Sequence, residues 1–114
     1  MSDTGAEPDT REPVHVEGRD HLQRLVEEND VVLVDFHAEW CGPCKMLEPT
    51  VESIAAETRA TVAKVDIDQH QDVAREFQVQ GVPTLYLFVG GEPSQRWVGV
   101  QDEGTLVEAI EAAA

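Results

Sequence analysis

Cys41 and Cys44 are the only cysteines among 114 residues. They stand three apart in "WCGPC", just past an apolar run, "DVVLVDF", that carries one carboxylate, Asp35. Two thiols at this spacing can close into a disulfide and reopen. Cys41 falls where a strand pattern ends and a helical pattern begins. A helix N-terminus offers unpaired N–H groups and the positive end of the helix dipole, and both favour a thiolate over a thiol. Pro43 fits the first helical turn, where its missing N–H is not needed. Cys44 comes one turn later. The expected chemistry is attack by an exposed Cys41 on a target disulfide, followed by resolution of the mixed disulfide by Cys44, lying beneath it.

Two other uses of the pair are weaker. A structural bridge closing so short a loop contributes little stability. Zinc takes about four ligands, and the two thiols with His15, His21, His37 and His70 form no second paired cluster.

Asp35 is the second clue. A charged carboxylate in a buried strand costs several kcal/mol unless it is compensated. Strand alternation puts Asp35 on the face of Val31 and Leu33, six residues before Cys41 and within reach of the space under Cys44. A buried acid is a stronger base than an exposed one and can take the proton of the resolving thiol. The alternative is a buried Asp bonded to backbone amides. Lys64 also sits inside an apolar run, "TVAKVDI". If its strand neighbours that of Asp35, the two can pair; alone, Lys64 reads as a snorkelling surface lysine. In "GVPT", Pro83 precedes a strand and reads, from spacing, as a turn proline.

The elements that position these groups follow from periodicity. "VHVEG" reads as a short strand and "RDHLQRLVEEN" as a helix with Leu22, Leu25 and Val26 on one face. "DVVLVDF" has the continuous apolar character of a strand buried on both sides. A helix runs from Gly42 to about Thr58, with Leu47, Val51 and Ile54 on its stripe and a kink expected at Pro49. "TVAKVDI" is a strand, "QDVAREFQV" a short helix, and "TLYLFV" and "SQRWVGV" strands of a hairpin. "DEGTLVEAIEAAA" closes the chain as a helix. The order is β-α-β-α-β-α-β-β-α. The class is α/β, a central mixed sheet with helices on both faces, in which strands separated by helices run parallel and the last hairpin is antiparallel. Residues 1–13 are expected to be a flexible acidic tail and 14–114 a single domain.

Charge narrows the partners. With 23 acidic and 8 basic residues the formal net charge is −15. The first 17 residues carry a net −4, which leaves −11 on the remainder. Lys45 and Lys64 are the only lysines. Such a surface repels nucleic acid and anionic membranes, and it suits high salt, where ions screen the self-repulsion. The longest aliphatic run is Val31–Val34, so no membrane span is expected. The N-terminus has no basic start and no apolar stretch, so no secretory signal is expected and a cytosolic location is.

"VDF" followed by "WCGPC", Lys64 in the third strand and "GVPT" before the fourth together resemble the thioredoxin family over about residues 14–113. The resemblance implies a thioredoxin fold and a protein-disulfide reductase, re-reduced by a thioredoxin reductase and acting on disulfide-containing client proteins; a monomer is the default expectation. It implies no bound cofactor or metal, the redox group being the Cys41–Cys44 disulfide itself. It assigns Cys41 as attacking thiolate, Cys44 as resolving thiol, Asp35 as proton acceptor and Lys64 as the lysine near that acid. It makes Pro83 a cis-proline facing the dithiol. Trp40, Gly42, Pro43, Gly81, Val82 and Gly99 join it on the substrate-binding surface. His37 departs from the pattern, standing where the family commonly carries an aromatic; it is either a neutral packing group or a tuning group for the thiols. Gly-Pro between the cysteines lacks the charged histidine of oxidants and isomerases, so the dithiol is expected to be reducing. An oxidase or isomerase, or a redox-gated binding module, are the alternatives.

Overall fold

Val31–His37 form the middle strand of a five-stranded sheet, as a run apolar on both faces predicts. The computed structural model describes residues 11–113. The strands are β1 (Val14–His15), β2 (Val31–His37), β3 (Thr61–Asp66), β4 (Thr84–Val89) and β5 (Glu92–Val98). The helices are α1 (Arg19–Glu28), α2 (Gly42–Glu57), α3 (Gln71–Glu76) and α4 (Glu103–Ala112). The sheet order is β1–β3–β2–β4–β5. β1 and β2 run parallel to β3, while β4 runs antiparallel to both β2 and β5.

The direction of β4 corrects the expectation of a parallel crossover through α3. Six residues of α3 cover only about 9 Å, against about 20 Å for six residues of β3. The chain enters β4 at the end where it left β3. Thr84 accordingly pairs with Phe36, near the end of β2.

The sheet separates two cores. On one face Val31, Leu33, Val62, Leu85 and Leu87 meet Leu47, Val51 and Ile54 of α2 and Leu106 and Ile110 of α4. On the other, Val32, Val34, Phe36, Ala63, Val65 and Phe88 meet Leu22 and Val26 of α1 and Val73 of α3. Helix α2 runs on through Pro49, whose missing N–H leaves the Lys45 carbonyl without its helical donor. Gly90 and Gly91, at φ +61° and +85°, make the turn between β4 and β5, as a hairpin with two positive-φ residues requires.

Residues 1–10 of the expected tail lie outside the described residues. Within the expected tail, the Arg11 guanidinium donates to the carbonyls of Thr58 (2.7 Å) and Ala60 (2.8 Å) just past α2. Helix C-termini leave carbonyls without donors, and an arginine supplies several.

Candidate active site

The strand-to-helix junction places the two thiols. The Cys41 N–H donates to the Ala38 carbonyl (3.2 Å), closing the turn after β2. Cys41 then caps α2: its Sγ accepts from the Cys44 N–H at 3.1 Å, with Gly42 and Pro43 in the first turn. Cys41 and Cys44 form a disulfide, their Cα atoms 5.2 Å apart. The expected difference in exposure is absent, since Cys41 is 3% exposed and Cys44 4%. Both pack with Ala38 and are covered by Ile67 and Val82. Position at the start of a helix sets the order of two cysteines along the chain, but neighbouring loops decide which of them solvent reaches.

One of those loops is 81–84. The Val82–Pro83 peptide bond is cis. The Val82 carbonyl oxygen lies 3.7 Å from Cys41 Sγ. The loop is held from two sides. Gly99 donates its N–H to the Pro83 carbonyl (2.8 Å), and the buried Thr84 hydroxyl donates to the Gly81 carbonyl (2.6 Å). Gly99 has φ +97°, a conformation that favours glycine. A Cβ placed on Gly42 or Gly81 would meet nothing within 4 Å, so both face open space. Trp40 is 69% exposed, and its indole N–H donates to Asp68 at 2.8 Å. Asp68, Thr84 and the exposed Met46, Val98 and Val100 escaped sequence reasoning. Only the position of Val98 and Val100 on either side of Gly99 hinted at the last two.

Asp35 is 1% exposed and stands opposite Lys64 in the β2–β3 ladder. Its Oδ1 has no hydrogen-bond partner among the described residues, so the backbone-bonded alternative does not hold for that oxygen. Burial pushes its carboxyl up from 3.8 to about 6; Lys64 opposes the rise and Glu48 adds to it. Lys64 is itself buried. The expected Asp35–Lys64 pairing is met only as adjacency. Lys64 Nζ lies 3.5 Å from Glu48 Oε2 instead. Glu48, four residues after Cys44, was not foreseen, because nothing in its local pattern distinguishes it from a solvent-facing helix acid.

His37 ends β2, partly buried. With His15, Glu39, Lys45, Glu48 and Lys64 it lines a cavity of about 390 Å³. Burial first, then Lys64, hold its imidazole below the usual histidine range, with Asp66 the main opposing charge. Among the described residues no group of three or more His, Cys, Asp or Glu is placed to hold a metal ion, and no helix is long and apolar enough to cross a membrane.

The comparisons with known proteins agree with this geometry. The thioredoxin family profile matches residues 12–112. The chain is 48% identical over 88 residues to a thioredoxin of Mycobacterium bovis, covering 75% of this chain and 76% of that one. It is 51% identical over 88 residues to a bifunctional thioredoxin reductase/thioredoxin of Mycobacterium leprae. That match takes in 75% of this chain but only 19% of the relative's length. With mitochondrial thioredoxin of Bos taurus it shares 45% over 92 residues, 79% of this chain and 55% of that protein. A mutant thioredoxin from Halobacterium salinarum superposes with a TM-score of 0.88 at 50% identity, covering 96% of this chain and 95% of the other. The chain belongs to the thioredoxin family of thiol–disulfide oxidoreductases.

Proposed function

We propose that this chain reduces disulfides of client proteins, with residues 14–114 as the working domain and Cys41 and Cys44 as the reacting pair. The observation that carries the reading is the Cys41–Cys44 disulfide at the start of α2, with the Cys44 N–H on Cys41 Sγ. That N–H and the helix dipole stabilise a thiolate at Cys41 once the bridge is opened. The thiolate attacks one sulfur of a client disulfide, forms a mixed disulfide and releases the other client sulfur as a thiolate. Asp35 takes the proton of Cys44, and the Cys44 thiolate attacks Cys41 Sγ. The Cys41–Cys44 bond forms, the second client sulfur leaves, and two electrons have passed to the client. Lys64 acts as the charge next to the proton acceptor.

The surface around the pair fits an extended client segment. Val82 offers its backbone beside Cys41, in the manner of strand addition. Trp40, Gly42, Pro43, Gly81, Pro83 and Gly99 frame that surface, and Val98 and Val100 add exposed apolar area. His37 acts as a neutral packing group, since its surroundings disfavour the imidazolium. A thioredoxin reductase restores the dithiol; the fusion of the two activities in the Mycobacterium leprae relative's name supports that partner. A cytoplasmic, monomeric carrier suits a pair that must be kept reduced. The net charge of −15 and the Halobacterium salinarum neighbour support adaptation to high salt. Unchanged stability in dilute buffer, followed by circular dichroism, would remove that part of the reading.

The reduction potential of the Cys41–Cys44 couple tests the direction of transfer. A strongly reducing value is expected, because Gly42 and Pro43 supply no charge to stabilise the thiolate further. A clearly oxidising value would make the protein an oxidase or isomerase. Replacing both cysteines by serine should abolish client reduction; client capture that survives unchanged would instead mark a binding module.

A further inference from the structure

Asp35 and Lys64 are direct neighbours across β2 and β3, the placement from which a buried ammonium and carboxylate ordinarily pair. The ammonium goes elsewhere. Lys64 Nζ sits 3.5 Å from Glu48 Oε2, while Asp35 Oδ1 is left without a partner among the described residues. Glu48 stands on α2 one turn beyond Cys44, its side chain 48% exposed against 9% for Lys64. From inside outward the order is Asp35, Lys64, Glu48 and then the cavity of about 390 Å³ that both Lys64 and Glu48 line.

We propose that Glu48 is a positioning residue that draws the Lys64 ammonium outward, off Asp35, and thereby sets how readily Asp35 takes and gives up the proton of the redox cycle. One ammonium stabilises a carboxylate only at short range. Held toward Glu48, it leaves Asp35 the stronger base, able to accept a proton from Cys44. Released from Glu48, it settles on Asp35 and weakens that base. The direction of each charge's effect on Asp35 agrees: Lys64 favours its ionised form and Glu48 its neutral form.

Lys64 faces Asp35 from β3, and Glu48 and Cys44 approach from α2. His15 lies beside Lys64 on β1, and His37 follows on β2 with Asp66 across from it. Lys45 and Glu39 line the cavity with Glu48. Only Glu48 among these makes an ion pair with Lys64.

The proposal rests on Asp35 as the proton acceptor, and the test separates the two. The Asp35 carboxyl carbon is titrated by NMR in the oxidised protein, where no thiol titrates. In Glu48→Gln the Asp35 midpoint is expected to fall by about 1 pH unit, as for a carboxylate gaining a close cation. In a Lys64→Met background the same substitution should move it less than half as far, because the route through the ammonium is gone. Glu48→Asp should restore most of the original midpoint. The acid limb of the pH–rate profile for mixed-disulfide resolution should follow the midpoint downward in Glu48→Gln. An unmoved midpoint in Glu48→Gln overturns the proposal, as does an equal fall with and without Lys64. If instead Asp35→Asn leaves the resolution profile unaltered, the proton-acceptor role fails, and the link to the redox cycle fails with it.

Discussion

On the face of the sheet covered by α2 and α4 the core is aliphatic, built from Leu33, Leu85, Leu87, Leu47, Val51, Ile54, Leu106 and Ile110. The other face, covered by α1 and α3, holds an aromatic cluster of Phe36, Phe77, Tyr86 and Phe88 with centroids 5.4 to 6.1 Å apart. Each face also holds a polar group, and they are treated in opposite ways. On the aromatic face the Tyr86 hydroxyl donates to the Phe77 carbonyl at 2.6 Å. On the aliphatic face Asp35 Oδ1 has no partner among the described residues. A buried polar atom without a partner costs free energy that natural cores generally avoid. The cost is carried at the end of the sheet where the disulfide sits, and a satisfied carboxylate there would be a poor proton acceptor. One face satisfies its buried polar group; the other leaves a buried carboxylate oxygen without a partner among the described residues, as the proton-acceptor role proposed above would require.

Substitutions on the two faces should therefore differ in sign. The largest effect is expected on the aromatic side. Phe36 is fully buried and touches both Phe77 and Tyr86, so Phe36→Ala should lower unfolding stability by about 4 kcal/mol in urea. A loss near 1 kcal/mol would mean that this face does not hold the fold.

Asp35→Asn should do the reverse. Its carboxyl titrates higher folded than unfolded, so between pH 3.8 and about 6 the native state binds the extra proton, and stability falls as pH rises. A rise of that size corresponds to about 3 kcal/mol. The variant should be more stable than the parent by about that much at pH 7, with the gain disappearing toward pH 4. A destabilised variant at pH 7 would refute the contrast between the faces.

A smaller loss is expected from Tyr86→Phe. It leaves the Phe77 carbonyl without its donor and should cost about 1 kcal/mol. No change in thermal unfolding would mean water satisfies the carbonyl equally well. The smallest effect lies outside both cores. Asp68→Ala removes the partner of the exposed Trp40 indole and should change stability by no more than about 0.5 kcal/mol. Its effect should be read in KM for a protein client, which rises as Trp40 loses its fixed orientation, with kcat unchanged.

Much of this was legible in the residues because it depends on local geometry. The apolar run ending in Phe36 specifies a strand buried on both sides. Its alternation specifies that Asp35 shares a face with Val31 and Leu33. The change of period at Cys41, with Pro43 in the next turn, specifies a thiol at a helix start. What neighbours what across the fold is not local. The direction of β4 was decided by which end of the sheet the connection through α3 returns to. The burial of Cys41 followed from Ile67 and Val82, which arrive from distant loops, and the hold on Pro83 came from Gly99 at the end of another strand. The pairing of Lys64 with Glu48 rather than Asp35 was decided by how α2 lies over the sheet. Periodicity determines which side of an element is buried; packing alone determines which charge lies within reach of another, because Coulomb energies in a low-dielectric interior turn on a few ångströms.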